Sequence, residues 1–281
     1  MLHHVIVLLA LVLGSITDLK RREVPDILNY SLIVLGFLVN GVYSLLFGDY
    51  SFILGSVVGF GFGFIVGALF YYTGQWGGGD AKLVMGVGAV VGINPFTAFY
   101  SLPFFVLFLV SSLVFGAVYG LAWLVALAFR YKKAFLKEYK SLSSKNNYSL
   151  FKFLLMFLAL LLVVLFFVGV DSVIIFSGYT LLILFALVLY SKNFLKAIEK
   201  SALTKEVSVS DLVEGDWVVD DLVFGSKKFS VGRTGLSKED IYFLRRKKVR
   251  SVRVREGIPF VPSFLFAYVS LLIFSNWLLF F

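Results

Sequence analysis

Asp18 and Asp80 are the residues whose type and setting best suit chemistry. Asp18 closes the first apolar run, in Thr17-Asp18-Leu19-Lys20-Arg21-Arg22-Glu23-Val24-Pro25-Asp26, and Asp80 stands between Gly77-Gly78-Gly79 and Ala81-Lys82-Leu83-Val84-Met85-Gly86. An ionisable group in or beside an apolar helix is expensive to keep there, which makes it a functional candidate. Two carboxylates brought together cannot both ionise easily, so they share one proton. The ionised partner can then take a proton from a water that attacks a carbonyl. The protonated partner polarises that carbonyl and afterwards protonates the leaving amine.

Gly77, Gly78 and Gly79 are the candidate substrate-binding residues. Without Cβ atoms they can adopt φ > 0 and let an extended peptide backbone approach closely. They also free the chain to begin a helix at Asp80, where the N-terminal dipole favours a carboxylate. Plainer readings stay open on the residues alone. Asp80 could be a simple helix N-cap, and Asp18 a boundary residue paired with Arg21 or Arg22. His3 and His4 sit outside any motif and read as a polar N-terminal tip. The sequence has no cysteine, which excludes a disulfide framework, a thiolate metal site and a Cys nucleophile. No cofactor or metal is expected.

The elements that must position these residues are membrane helices. Of 281 residues, 59% are apolar and only 15% charged, against roughly 45–50% and about 25% in soluble domains. The apolar residues fall in long blocks, and spanning hydrocarbon takes ~20 apolar residues as a helix. Eight apolar segments stand out: about 2–17, 27–47, 52–72, 81–93, 102–129, 151–169, 173–191 and 259–281. The expected fold is therefore an all-α polytopic membrane protein of about eight transmembrane helices, with a small α+β cytoplasmic insert before the last. The segment 81–93 is short for a ~30 Å core at ~1.5 Å per residue. Pro95 and Pro103 break the chain after it, and part of 94–101 could be re-entrant. The first run lacks a basic flank before it and a small-residue cleavage site after it, so it reads as a retained helix rather than a signal peptide.

Orientation follows from the basic residues. With the N-terminus outside, the inside segments 18–26, 73–82, 130–152 and 192–258 hold all 26 Lys and Arg residues, and the outside loops carry only Asp49 and Asp171. The net charge of +9 is then a positive-inside signature and not a nucleic-acid footprint. Both aspartates fall at the cytoplasmic face. The expected organisation is a transmembrane core at 1–191, a soluble cytoplasmic insert at 192–258 and a final transmembrane helix at 259–281. The insert shows strand-like alternation around Val207–Val219 and again at Val249–Arg255. Between them lies a helical stretch from Ser237 to Lys248, with Ser237 as N-cap and Asp240 three residues on.

The motifs resemble the type IV prepilin peptidase family, and specifically its archaeal prepilin and preflagellin (prearchaellin) peptidases. Gly77-Gly78-Gly79-Asp80 followed by Ala81-Lys82-Leu83 is similar to the family's G-x-G-D element. Asp18 with Pro25-Asp26 resembles its first-aspartate segment, and Pro259-Phe260-Val261-Pro262 resembles the Pro-Phe-x-Pro opening of a late helix. The resemblance implies an aspartyl endopeptidase with Asp18 and Asp80 as catalytic pair, acting on pilin-like or archaellin precursors at the cytoplasmic membrane face. Asp26 and Lys82 match motif neighbours with no assigned role. Bacterial members often add a cysteine-bearing metal domain and an N-methyltransferase activity, for which this chain has neither cysteines nor room. Peptidase activity alone is expected, with membrane lipid and precursor proteins as partners and no nucleic acid.

Two rival readings differ in kind. Presenilin-like proteases also use a G-x-G-D aspartate, but they carry a Tyr-Asp pair and a Pro-Ala-Leu element. Here Thr17 precedes Asp18 and no Pro-Ala-Leu occurs. A transporter would favour midplane carboxylates and inverted repeats, and none is seen. Gly55, Gly59, Gly63 and Gly67 recur at four-residue spacing, as close helix packing requires. Tyr71, Tyr72 and Trp76 read as an interfacial aromatic belt, and the basic run Arg245–Arg255 as charge facing anionic lipid.

Overall fold

The structure, a computed structural model, describes residues 2–96, 102–145, 149–213, 215–219, 222–224, 227–229 and 235–278. The helices are α1 (Leu2–Arg21), α2 (Asp26–Phe47), α3 (Ser51–Tyr72), α4 (Gly78–Val91), α5 (Phe104–Arg130), α6 (Lys132–Lys145), α7 (Ser149–Phe167), α8 (Ser172–Ile198), α9 (Lys238–Arg246) and α10 (Val261–Leu278). The strands are β1 (Thr204–Ser208), β2 (Trp217–Val218), β3 (Leu222–Phe224), β4 (Lys227–Phe229) and β5 (Ser251–Arg255). They form a three-stranded sheet of order β1-β5-β2 and an antiparallel β3–β4 pair with Val223 opposite Lys228.

Each of the eight apolar segments falls on a helix. Among the described residues, five helices are long and apolar enough to cross a membrane: Leu2–Arg21, Asp26–Phe47, Ser51–Tyr72, Phe104–Arg130 and Ser172–Leu203. Lys152–Phe167 and Val261–Phe274 are apolar but shorter. Most of the region where a re-entrant stretch is expected, 97–101, lies outside the described residues.

The chain divides into two compact units. The first comprises residues 1–123, 208–252 and 256–281. Its centre is α4, where Leu83, Val84, Val87, Ala89 and Val90 have no exposed surface. A helix that is apolar all round belongs in a core, and this 14-residue helix is packed between α2 and α3. The four-residue glycine stripe of α3 is what admits it. A Cβ on Gly59 would collide with the Gly88 carbonyl, one on Gly63 would lie 3.1 Å from Val84 O, and one on Gly67 3.0 Å from Ala81 O. At the far end of α4, Asn40 Nδ2 donates to the Ala89 and Val90 carbonyls at 3.1 Å, and Ser56 Oγ donates to Ala89 O at 2.5 Å. These polar side chains satisfy carbonyls that the last turn of a helix leaves open. Val7 and Leu11 of α1, Phe105 and Phe108 of α5, and Phe264 and Tyr268 of α10 complete the core. Outward positions are apolar too, as at Leu38, Val42, Ile65, Val114 and Val118, which suits hydrocarbon rather than water.

The stretch 208–252 of this unit follows the expected pattern. Ser237 caps α9 in a capping box with Asp240, and Ile241 and Leu244 are buried. On β5, Val252 and Val254 are buried while Arg253 and Arg255 are exposed.

The second unit comprises residues 124–207 and 253–255. Ile198, Ala202 and Leu203 pack with Leu124, Leu127, Ala128, Phe135 and Phe194, and Arg255 pairs with Glu199 at 3.3 Å. Two features differ from the sequence reading. The polar stretch 130–152 contains α6, a lysine-rich helix whose apolar positions are too few to announce it. And α8 runs past residue 192, through a π turn at Glu199–Leu203, so the expected start of the insert falls inside a helix.

Candidate active site

Asp18 lies at the C-terminal end of α1 on the face that also buries Val7, Leu11 and Gly14. That seven-residue recurrence turns the carboxylate inward, and the residue is only 5% exposed. Its Oδ2 accepts the backbone N–H of Val261 at 2.9 Å. Val261 is the first residue of α10, so Asp18 satisfies an N–H that an isolated helix start would leave open. The Pro-Phe-x-Pro element thus belongs to the site.

Asp80 occupies the first turn of α4, half-buried, and its Oδ2 accepts the N–H of Gly77 at 3.0 Å. α1 and α4 pack together, and a Cβ on Gly14 would fall 3.6 Å from Leu83 Cδ2, so the helix end that bears Asp18 lies against the helix start that bears Asp80. Neither plainer reading accounts for both residues. Asp80 does cap its own helix, and that helix packs against α1, which bears Asp18. Asp18 makes no ion pair among the described residues, and the Arg22 guanidinium instead donates to Gly257 O at 2.9 Å and lies over the Trp123 ring at 5.2 Å.

Comparison with known proteins adds a second line. Residues 5–121, which contain both aspartates, match the type IV leader peptidase family. The chain is 36% identical over 91 residues to a preflagellin peptidase of Methanocaldococcus jannaschii, covering 32% of this chain and 38% of that protein. To a preflagellin peptidase of Methanococcus voltae it is 35% identical over 102 residues, 36% of this chain and 43% of that one. A prepilin peptidase of Methanothermobacter thermautotrophicus is 34% identical over 97 residues, 34% and 25% of the two chains. The chain thus spans less than half the length of the curated relatives it matches.

Within the matched residues the glycine run has a different backbone conformation from the one expected. Gly77 is extended, at φ −70° and ψ 163°, and none of Gly77, Gly78 and Gly79 has positive φ. Gly78 and Gly79 already belong to α4. The reason for glycine is close packing: a Cβ on Gly79 would meet Val24 Cβ at 3.1 Å and its backbone N at 3.3 Å. Positive φ occurs instead at Arg22, at 60°, where the chain turns out of α1.

Asp26 and Lys82, matched but without a role in the sequence, pair at 2.6 Å, with the Lys82 ammonium 5.3 Å from the Tyr30 ring. Asn29 Nδ2 donates to Gly79 O at 3.3 Å. The first turn of α2 therefore holds the start of α4 and with it Asp80. Asn29 carries no motif signal, and only its polarity amid apolar neighbours marked it. Trp76 is corrected from an interfacial to a core residue: it is buried, stacked on Phe70 at 4.4 Å and edge-on to Phe264 at 5.3 Å. Tyr72 is exposed, as an interfacial residue should be. Among the described residues no three His, Asp or Glu side chains gather as metal ligands do.

Proposed function

We propose that this chain is a multi-pass membrane aspartyl endopeptidase of the G-x-G-D type. It removes the short basic leader from archaeal pilin-like precursors, preflagellins or prepilins. Asp18 and Asp80 are the catalytic pair, and Gly77, Gly78 and Gly79 line the peptide beside them. The N-terminus lies outside and the active-site face is cytoplasmic. The precursor's leader stays inside while its apolar segment enters the bilayer. The core at 1–191 carries the chemistry, and the insert at 192–258 faces the cytoplasm.

The observation that supports this best is that two aspartates, on helices that pack together, both lie within the matched residues 5–121. Each is held by a backbone N–H at a helix start, from Val261 and Gly77. A fixed donor holds each carboxylate in place, and a shared-proton mechanism needs the two close together. The relatives are named for preflagellins and prepilins, and by that likeness we assign such precursors as substrates.

The test is cleavage of a panel of leader-bearing precursors by membranes containing this protein, beside a liposome ion-flux assay. Cleavage just before the apolar helix of the precursor is expected from the wild type and none from Asp18→Asn or Asp80→Asn. Ion flux that depends on the two aspartates, with no precursor cut, would overturn the proposal.

A further inference from the structure

Tyr119 Oη and Trp123 Nε1 are buried with no hydrogen-bond partner. Buried polar atoms are nearly always paired, so two orphans one turn apart on the same face of α5 call for a physical reason. Their rings lie 5.9 Å apart at 34°, and Tyr119 is further fixed against Phe266 at 6.5 Å.

Their surroundings lead to Asp18. The Arg22 guanidinium covers the Trp123 ring at 5.2 Å. The Arg22 backbone N–H donates to Asp18 O at 2.9 Å, and its side chain holds Gly257 O, just before the Val261 that caps Asp18. Two pre-positioned donors therefore stand on α5 against the Arg22 side chain, one helical turn from Asp18.

An indole N–H can only donate, so whatever meets Trp123 must be an acceptor, and lipid tails offer none. An extended peptide offers a backbone carbonyl at every residue, acceptors that two donors one helical turn apart could meet. We propose that Tyr119 and Trp123 are substrate-binding residues whose O–H and N–H donate to backbone carbonyls of the peptide held beside Asp18. This inference rests on the peptidase reading above.

The experiment uses the full chain in detergent, with Tyr119→Phe and Trp123→Phe each measured three ways. KM and kcat are read on a leader-bearing precursor. Affinity for the same precursor is read on the Asp80→Asn background, where no turnover confuses the signal. Thermal stability is read on every preparation. Each variant should weaken precursor affinity and raise KM by about three- to tenfold with kcat little changed, the loss expected for one neutral hydrogen bond. Stability should hold or rise, because Tyr119→Phe removes an unpartnered buried hydroxyl. If both variants bind and cleave as wild type does, the donors meet only water and the inference falls while the peptidase reading stands. If stability drops in step with affinity, the residues are structural and the inference falls likewise. Should Asp80→Asn still cleave, it is the dyad that fails, and the shift in affinity decides this inference separately.

Discussion

Asp18 Oδ2 accepts the backbone N–H of Val261 at 2.9 Å across 243 positions of sequence. A carboxylate at the end of the first helix thereby caps the start of the last. The proposed catalytic group and the packing of α1 on α10 are one arrangement, and they can be separated by choice of substituent. Asn keeps an oxygen that accepts the Val261 N–H but cannot exchange the catalytic proton. Ala keeps neither. Asp18→Asn should therefore abolish cleavage with little change in thermal stability, and Asp18→Ala should abolish cleavage and lose about 1 kcal/mol, as for other lost caps. Asp80→Asn should also be inactive and well inserted. Near-normal turnover in either Asn variant would sink the dyad.

The ion pair between Asp26 and Lys82 makes a different forecast. Both side chains are substantially exposed, at 62% and 33%, so its contribution to global stability should stay below about 1 kcal/mol. Its position matters more, because Lys82 lies two residues after Asp80 and the pair ties the start of α4 to α2. Lys82→Met should cut the cleavage rate several-fold while the melting temperature hardly moves. A melting temperature that falls as steeply as the rate would make the pair a plain structural brace.

Substrate charge follows from the same pairing. On the proposed topology a basic leader would meet acidic groups beside the site, and Glu23 and Asp26 are the candidates near Asp18. With Asp26 already engaged by Lys82, the exposed Glu23 is the better contact. Reversing the leader's basic residues to acidic ones should slow cleavage clearly, and Glu23→Lys should partly restore the rate for that reversed leader. A rate indifferent to leader charge would count against this orientation of the substrate.

Much of this was legible in the sequence, and the physics explains which parts. The first apolar run was legible as a helix ending at Asp18, while its buried face of Val7, Leu11, Gly14 and Asp18 emerged only from the structure. The capping box at Ser237 and Asp240 and the alternation of Val252 and Val254 were legible because each depends on neighbours in sequence. The glycine stripe of α3 announced close packing, but not that its partner would be the short α4, since the partner's surface is distant in sequence. The cap on Asp18 by Val261 was hidden for the same reason: a backbone N–H carries no residue identity. The glycines before Asp80 misled because the lack of a Cβ serves two ends, positive φ and close approach. Only the position of Val24 against Gly79 separates them.

The α3 stripe offers an internal control. A Cβ on Gly59 would run into the backbone of Gly88 and Gly92, which cannot move without displacing α4, whereas one on Gly61 meets nothing within 4 Å. Gly59→Ala should lose stability by about 1–3 kcal/mol, the usual range for overpacking, and lower activity by shifting the helix that bears Asp80. Gly61→Ala should be close to neutral, or slightly stabilising through helix propensity. Detergent thermal melts of the two variants side by side provide the comparison, and equal effects would contradict the packing of α3 on α4.

The same reasoning grades the glycines that precede Asp80. A Cβ on Gly79 would press on Val24 at 3.1 Å and its backbone N at 3.3 Å, while one on Gly78 meets only the edge of Tyr71 at 3.7 Å, an ordinary contact. None of these glycines needs positive φ, so alanine carries no backbone strain and the difference between sites is purely one of space. Gly78→Ala should therefore cleave at close to the wild-type rate. Gly79→Ala should push the start of α4 from the Val24 segment by a few tenths of an ångström, disturbing the register of Asp80 with Asp18, and lower the rate by about tenfold, since misplacement by 1 Å can cost a hundredfold. Gly79→Val adds two methyl groups to the same spot and should be inactive. A rescue makes the assignment specific: Val24→Ala removes methyl groups that the new Cβ would press on, so Gly79→Ala with Val24→Ala should regain part of the lost rate. If Gly78→Ala proves as damaging as Gly79→Ala, space beside Val24 is not what distinguishes the two positions. If the double variant recovers nothing, contact with Val24 is not what selects glycine there.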